Sequence, residues 1–518
     1  MSAAAPASAA PAPGARALDV RAGLPRWWPL AAITLAAAAL RLSTLGLQSF
    51  WYDEAFTPVH VLHPSLWATL RAVVHTENSP PLWYLIAWLD GRVLGTGEIA
   101  LRLPSALAGI ATVPVAWAIG RELAGRGAAI LCAAFVAANP LFVWYSQEAR
   151  VYGLFVLVAA FAMLCFLRAL RDPSPRRMAA FALSGAVALL THYFALFLLI
   201  PMVLWLLYAR STRRAALPAV GALAAVGLSL LPLISAQGGH GTQWIGRWPL
   251  SERLQAIPQY FLTGYSGAPL GHGVELLVAL PILAALGLGL WHMLEPPPGK
   301  ELDPAGEATR NRDRHGALIA FAIVCGGVLI PVLLALLGAD YLAPRNLVAA
   351  MVPVAALIAV MLGSSLRGPA GLALALTIVL AFLAVSIDVD LSPRLQRGNW
   401  RDVAKALRAG PSERAITTVE LGAAPLEYYL PGAHNLHAGA TVRVSEIDET
   451  GYAPLRPSAG APPAPGFRLY ARLDIDGLIV YRFRSGVARA VSEASLRRHV
   501  ITLAHPEVLI PETTRTSS

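Results

Sequence analysis

The sequence predicts an all-α polytopic membrane protein of about 11 transmembrane helices, with juxtamembrane helices in the first outer loop and a small C-terminal α/β domain. Of its 518 residues, 56% are hydrophobic and 14% are charged, so a soluble fold would have too little polar surface to cover its apolar side chains. Apolar segments of spanning length recur through residues 27–390. Beyond them the hydropathy falls and short β-rich runs begin, which indicates a separate domain.

Residues 1–26 are rich in Ala and Pro and show no apolar face that could pack, so we expect a disordered cytoplasmic tail. The apolar run at 27–47 has no clear small-residue cleavage site. Because it is long enough to cross about 30 Å of hydrocarbon, it favours a retained signal anchor over a cleaved signal peptide. The N-terminus is therefore predicted to be cytoplasmic.

The membrane domain is predicted to comprise residues 27–390. Its segments of spanning length lie near residues 27–47, 100–120, 127–145, 151–170, 178–192, 194–209, 215–235, 274–293, 316–337, 346–363 and 369–387. Lys and Arg stay preferentially on the cytoplasmic side of a membrane. The basic clusters occupy alternate connections, at residues 120–127, 171–177, 209–214, 295–315 and 364–368. We therefore expect a multi-pass protein of the plasma (inner) membrane, with the remaining loops and the C-terminal domain extracytoplasmic.

Two stretches of the first outer loop are predicted to lie in the membrane interface instead of crossing it. Residues 80–94 are short for a span and combine Asp90 and Arg92 with three aromatic residues, a mixture typical of interfacial helices. A crossing there would also turn every later basic cluster outward. A second such helix is expected near residues 55–74.

The C-terminal domain, residues 391–518, is predicted to be an extracytoplasmic α/β domain. Residues 399–410 have a helical pattern, and the runs at 415–421 and 477–483 are β-rich. The 41 Lys and Arg exceed the 31 Asp and Glu, but they form short clusters between apolar runs, which indicates membrane orientation and not a nucleic-acid partner. All three cysteines lie in apolar segments, so neither a disulfide nor a zinc framework is predicted.

The first outer loop carries two adjacent carboxylates, Asp53 and Glu54, after an aromatic cluster. Carboxylates at a membrane edge are costly to desolvate, so they often mark function. The alternative is a solvated turn with no role. Further along, His75 and Glu77 could bind a divalent cation, whereas Asn78 could simply cap the following helix. Two ligands without fixed geometry favour capping, and no cofactor is predicted with certainty.

Further polar residues fall in other loops on the same predicted side. They are Arg102, Gln147, Glu148, Arg150, His192, Tyr193, Tyr341 and Arg345. Each of them taken alone is equally well explained as an anchor at the membrane interface or as a structural residue whose hydrogen bonds are satisfied within the protein. An arginine fork nevertheless suits phosphate oxygens, and the outer interface is where a lipid phosphate would lie. Because the topology was derived from the basic loops alone, the convergence on one side favours a functional site.

Five short motifs occur in order along the membrane domain. They are the Asp-Glu pair at 53–54, NSPPL at 78–82, RLPS at 102–105, QEARVYG at 147–153 and YLAPRN at 341–346. Together they resemble the GT-C membrane glycosyltransferases, specifically glycosyltransferase family 39 or the dolichyl-phosphate-mannose-protein mannosyltransferase-like group. That group includes protein O-mannosyltransferases and lipid A aminoarabinose transferases. The resemblance covers about residues 27–390.

The resemblance implies a GT-C fold and a donor that carries its sugar on polyprenyl monophosphate. It also implies that Asp53 is the catalytic aspartate, with Glu54 as its acidic neighbour, and that Arg345 lies near the donor phosphate. Arg150, Arg102 and Tyr341 are the further candidates for the phosphate. The candidates for substrate binding are His75, Asn78, Gln147, His192 and Tyr193. The C-terminal domain shows no sugar-binding trefoil repeat, so a glycan, a glycolipid and a protein hydroxyl all remain possible acceptors.

The chemistry implied is an inverting transfer. A polyprenyl phosphate is already a good leaving group, so a cation near the phosphate and one base for the acceptor hydroxyl suffice. No P-loop or dinucleotide fingerprint is present. The main alternative is a transporter or flippase of lipid-linked sugars, although such proteins commonly show internal repeats and polar residues at mid-membrane. A catalytically inactive assembly subunit is a third possibility.

Overall fold

The computed structural model describes residues 27–240, 242–264, 271–294, 304–363, 368–408, 413–499, 501–502, 505–511 and 516–517. The predicted tail at 1–26, most of the basic loop at 364–368 and residues 295–303 of the loop at 295–315 lie outside the described residues. Within the described residues, a helical membrane part ends at Leu391, and the strands of the C-terminal part begin at Arg414.

Each predicted apolar segment coincides with a helix or a broken helix pair. The membrane part comprises α1 (Trp28–Leu42), α5 (Glu98–Ala124), α6 (Arg126–Ala138), α7 (Pro140–Ser146), α8 (Tyr152–Arg171), α9 (Pro175–Thr191), α10 (Ala195–Tyr208), α11 (Arg213–Ser229), α12 (Leu231–Gln237), α13 (Gln243–Arg247), α14 (Leu250–Thr263), α15 (Gly271–Leu294), α16 (Pro304–Leu336), a 3₁₀ turn (Pro344–Ala350), α17 (Met351–Gly363) and α18 (Pro369–Leu391). Within the described residues, 7 helices are long and apolar enough to cross a membrane, or 8 if α6 and α7 form one bent span. The predicted polytopic all-α membrane fold is thus confirmed.

The first outer loop contains α2 (Tyr52–Phe56), a π-helical turn (Thr57–Val61), α3 (Leu66–Thr76) and α4 (Leu82–Val93). Helix α4 coincides with the helix predicted at 80–94. The helix predicted at 55–74 is divided: the chain is extended at Leu62, and Pro64 disfavours a helical conformation at the residue before it, His63. Ser65 then caps α3 by accepting a hydrogen bond from the Ala68 N–H.

The break between α6 and α7 brings polar groups to one end of the bundle. Asn139 is extended ahead of Pro140, and its side chain caps α7 at the Leu141 N–H, 3.0 Å away. The break leaves carbonyls at the end of α6 without helical partners. The buried Arg41 of α1 donates to two of them, at Val136 and Ala137, over 3.1 and 2.9 Å. This arginine therefore ties α1 to the broken span.

The C-terminal part is a mixed sheet with helices packed on it, as predicted. It comprises α19 (Trp400–Arg408), β1 (Arg414–Thr418), α20 (Ala423–Tyr429), β2 (His434–Asn435), β3 (Thr441–Tyr452), β4 (Arg468–Ile475), β5 (Leu478–Ser492), α21 (Glu493–Arg498), β6 (Glu507–Ile510) and β7 (Thr516–Ser517). The strand order is β2-β6-β1-β3-β5-β4, with β7 paired to β3. Only β1 and β3 are parallel among the described pairs.

The C-terminal domain docks on the first outer loop. The Phe50 N–H donates to the Tyr429 hydroxyl over 2.7 Å, and the Phe50 ring meets Tyr428 edge-on with ring centroids 5.1 Å apart. Ser49 donates to the Gly398 carbonyl over 3.0 Å. The segment that carries Asp53 is therefore fixed between the helical bundle and the sheet domain.

Candidate functional site

A cavity of about 810 Å³ opens where the first outer loop, the helical bundle and the C-terminal domain meet. Most of its lining is apolar and comes from side chains of α10, α11 and α16, including Phe197, Ile200, Val203, Leu223 and Leu334. Its other end is polar and contains Asp53, Glu77, Asn78, Arg150, Tyr152, His192, Tyr341 and Arg345. The cavity is thus amphipathic, with charged groups at one end.

Asp53 and Arg345 are in direct contact at the polar end. They form an ion pair, although they lie 292 positions apart in the chain. Their side chains are 14% and 22% exposed, so both remain open to the cavity. The Arg345 guanidinium also lies over the Trp244 ring of α13, 4.8 Å from its centroid. The two residues to which the sequence assigned the central roles therefore share one site.

A second ion pair, between Arg150 and Glu77, stands beside the first. Arg150 donates through both terminal nitrogens to Glu77, over 3.3 and 3.0 Å. Tyr84 of α4 donates to the same carboxylate over 2.5 Å. Arg150 lines the cavity, but its fork is occupied by Glu77, so it acts first as a positioning group of the polar end.

Glu54 is directed away from the cavity, unlike its neighbour. It is fully buried and accepts two hydrogen bonds from Arg102, over 2.7 and 2.6 Å, and one from the Ala149 N–H over 2.9 Å. Burial opposes its ionisation, but Arg102 and Arg397 outweigh burial and lower the pKa of this carboxyl. The predictions of a catalytic Glu54 and a phosphate-binding Arg102 are not supported by this geometry, because each side chain is buried against the other.

Gln147 and Glu148 also belong to a buried network outside the cavity. The Gln147 amide donates to the Leu40 and Arg41 carbonyls over 3.2 Å, which gives it a structural role where substrate binding was predicted. Glu148 lies 3.4 Å from Arg397, a residue of the linker after α18. Burial raises the pKa of Glu148 to about 7, against the lowering influence of Arg397.

Of the remaining predicted residues, three stand in the cavity wall with their side chains engaged. The His192 ring stacks on Phe155 with centroids 4.6 Å apart, and its Nδ1 accepts from the Phe194 N–H. The Tyr193 hydroxyl donates to Gln237 over 2.6 Å. The side-chain amide of Asn78 donates to the His240 carbonyl over 3.4 Å. These contacts make His192, Tyr193 and Asn78 wall residues that shape the polar end.

Tyr341 and His75 differ in their access to the cavity. Tyr341 lines it with 49% of its surface exposed, whereas His75 lies exposed on α3 and is not a lining residue. Within the described residues, no three His, Cys, Asp or Glu side chains gather closely enough to hold a metal ion. His75 is thus not placed to contact a substrate in the cavity.

Three residues of this region were missed by the sequence reasoning. Trp244 and Leu421 line the cavity from segments that carry no motif, and Arg397 anchors the buried carboxylates. The Arg397 guanidinium lies 4.2 Å from the centroid of the Trp144 ring. A basic residue shortly after the last apolar segment, at the end predicted to be extracytoplasmic, is the sequence signal that could have pointed to Arg397.

Comparison with known proteins agrees with this architecture. Residues 78–235, less than a third of the chain, match the family model of dolichyl-phosphate-mannose-protein mannosyltransferases. This match confirms the resemblance carried by the sequence motifs. No curated protein sequence matches the chain.

Two crystal structures of ArnT from Cupriavidus metallidurans are similar in fold. The structure bound to undecaprenyl phosphate aligns with a TM-score of 0.52 and 13% identity, covering 88% of this chain and 98% of that chain. The structure in the apo state gives a TM-score of 0.51 and 13% identity, covering 88% and 97%. At such identities the similarity establishes the fold.

Proposed function

We propose that this chain, which has the GT-C membrane glycosyltransferase fold, transfers a sugar from a polyprenyl-phosphate-linked donor to an acceptor hydroxyl on the extracytoplasmic side of the membrane. The observation that carries the proposal is the contact between Asp53 and Arg345 at the polar end of one amphipathic cavity. A carboxylate and a guanidinium are the base and the phosphate ligand that this reaction needs.

The shape of the cavity supports a lipid-linked donor. Its volume of about 810 Å³ is within the usual range for ligand sites. The apolar part between α10, α11 and α16 suits an isoprenoid chain, which gains free energy by leaving water. The phosphate would then lie at the boundary with the polar end, where Arg345 stands. A similar structure, that of ArnT, was solved with undecaprenyl phosphate bound.

The ion pair between Asp53 and Arg345 couples donor binding to the availability of the base. In the free protein, the Asp53 carboxylate neutralises Arg345. Asp53 contacts Arg345 through one guanidinium nitrogen, so a donor phosphate that binds the fork through two oxygens displaces Asp53. The base therefore becomes available when the donor is in place, which favours an order in which the donor binds first.

The transfer step then needs no further protein group. Asp53 accepts the proton of the acceptor hydroxyl, and that oxygen forms a bond with the anomeric carbon. The bond from this carbon to the phosphate oxygen breaks, and its electron pair leaves with the polyprenyl phosphate, whose charge Arg345 stabilises. A single displacement from the opposite face inverts the configuration. Because Arg345 supplies the positive charge, we expect transfer to persist when divalent cations are chelated.

The decisive experiment uses the purified protein in lipid vesicles with synthetic polyprenyl-phosphate hexoses and pentoses. We expect release of polyprenyl phosphate together with transfer of the sugar to a hydroxyl acceptor or to water. Asp53→Asn is the matched control for a contaminating enzyme, since it should insert equally well and release nothing. Movement of the intact donor across the bilayer without bond cleavage would overturn the proposal in favour of a transporter.

A further inference from the structure

Leu421 belongs to the C-terminal domain, yet it lines the cavity of the membrane domain. It is 41% exposed. It stands in the turn between β1 and α20, which is closed by the Gly422 N–H donating to the Val419 carbonyl over 2.9 Å. The C-terminal domain thus supplies part of the wall of the proposed active site.

The backbone of Leu421 is in a conformation that leucine rarely adopts. Its φ is 66°, in the left-handed region, where a side chain crowds the following carbonyl. Among the described residues, one other non-glycine residue has a positive φ, Asp476 at 52°. Asp476 precedes Gly477 in the two-residue hairpin between β4 and β5, and Asp-Gly is a preferred pair for that turn. No comparable turn preference accounts for a leucine, since the third position of such a turn normally takes glycine or asparagine.

The surrounding structure holds this turn in place. A Cβ on Gly422 would lie 2.4 Å from Thr418 Oγ1 and 2.9 Å from the Trp400 ring, so the chain is closely packed there. The Glu507 carboxylate accepts a hydrogen bond from the Ala423 N–H over 2.9 Å. Unfavourable backbone conformations persist where the surroundings fix them, and they cluster at binding sites. The conformation of Leu421 is therefore consistent with a binding role for its side chain, which lines the cavity.

The turn that carries Leu421 lies between α2, the helix of Asp53, and α13, the helix of Trp244. It immediately precedes α20, and α20 packs against α2, the short helix that carries Asp53. The donor chain is expected between α10, α11 and α16, so the wall that the C-terminal domain supplies is left for an acceptor that approaches Asp53. The neighbouring charges pair with each other, because Arg247 of α13 donates to Glu420 over 3.0 and 3.2 Å. The approach is lined by aliphatic and aromatic surface from Leu421 and Trp244, both of which line the cavity.

We propose that Leu421 contacts the acceptor, and that the acceptor presents its hydroxyl on an uncharged group with an apolar face, such as a sugar ring. This inference rests on the proposed function, since it concerns the acceptor of that transfer. An anionic acceptor would require a cation that is not already paired on this side, and the described charges of the turn and of α13 are paired. An apolar wall also limits the access of water, which competes as an acceptor.

The test replaces Leu421 with glycine and Asp476 with glycine as the matched control. Glycine adopts a positive φ without strain, so Leu421→Gly should melt at the same temperature as the wild type or higher. The acceptor probes are octyl glucoside, the anionic octyl glucuronide and water, supplied with whichever synthetic donor the wild type cleaves. We expect the ratio of transfer to octyl glucoside over hydrolysis to fall at least tenfold in Leu421→Gly. Asp476→Gly loses only an exposed hydrogen bond to Asn399 and should keep the wild-type ratio.

Several outcomes would contradict the inference. An unchanged ratio in Leu421→Gly, or in Leu421→Asn should the glycine variant melt early, would show that Leu421 does not contact the acceptor. Preferred transfer to octyl glucuronide, or donor hydrolysis by the wild type without transfer to octyl glucoside, would overturn the acceptor class while leaving the donor chemistry intact. Absence of any donor cleavage by the wild type would instead overturn the proposed function.

Discussion

Glu54→Gln should destabilise the folded protein, because Glu54 forms a buried ion pair with Arg102, whereas the adjacent Asp53 faces the cavity. Glu54 is 0% exposed, and its partner Arg102 is 1% exposed. The glutamine amide would present N–H groups to the guanidinium in place of a carboxylate oxygen. Arg102 would then be a buried charge without its counter-charge, which costs about 3–5 kcal/mol. The carbonyls that also accept from Arg102, such as that of Gln48 at 2.7 Å, cannot replace a full negative charge.

The assay is thermal and denaturant unfolding of the purified variants in one detergent, followed by tryptophan fluorescence. The matched control is Asp53→Asn, whose side chain is 14% exposed and faces the cavity, so that removal of its charge should cost less than removal of the charge of Glu54. Sugar transfer is measured on the same preparations. The reasoning would be refuted if Glu54→Gln unfolded like the wild type but had lost transfer, since Glu54 would then act on the substrate.

Further predictions concern the phosphate ligand, the lipid groove, the buried acid and divalent cations. Arg345→Gln should weaken donor binding at least tenfold in a fluorescence titration with little change in the acceptor KM, and the reverse pattern would remove Arg345 from the phosphate site. Gly227 lines the apolar part of the cavity, and a Cβ there would meet no atom within 4 Å, so a phenylalanine ring could occupy the space expected for the lipid chain. Gly227→Phe should therefore impair long-chain donors more than short-chain donors in the transfer assay. Equal effects on both would show that the lipid chain binds elsewhere. Since burial raises the pKa of Glu148 from 4.5 to about 7, its contribution to stability is present below pH 4.5 and is lost as the pH rises to about 7. Glu148→Gln should therefore flatten the melting temperature over this window, and an unchanged slope would refute that account. Transfer should survive EDTA, and a loss restored by Mg²⁺ would show that a metal ion assists Arg345.

The gathering of polar residues at one end of the helical bundle could be predicted from sequence, whereas the direction of each side chain could not. The basic loops predicted that Asp53 and Arg345 lie on the same side, and the two residues are in contact. Within α2, however, successive side chains point about 100° apart, so that only one of two adjacent carboxylates can face the cavity. Which one it is depends on Arg102, whose position in α5 sets the direction of Glu54.

The contributions of the C-terminal domain were beyond sequence reasoning for a different reason. Arg397 reaches Glu148 across 249 positions, and Leu421 reaches the cavity only because α20 docks on the first loop. Such contacts follow from how two separately patterned domains pack, and no local periodicity encodes them. The helices were predictable because each has its own apolar pattern, and the division of the helix predicted at 55–74 was foreshadowed by Pro64.

Donor affinity of Asp53→Asn compared with the wild type tests the central claim most directly. The uncharged amide of this variant cannot neutralise Arg345, so a titration with a non-reactive polyprenyl phosphate should show binding as tight as in the wild type or tighter, while sugar transfer is lost. Much weaker binding of the lipid phosphate by the variant, or retained transfer activity, would contradict the assignment of Asp53 as the base and Arg345 as the phosphate ligand of one site.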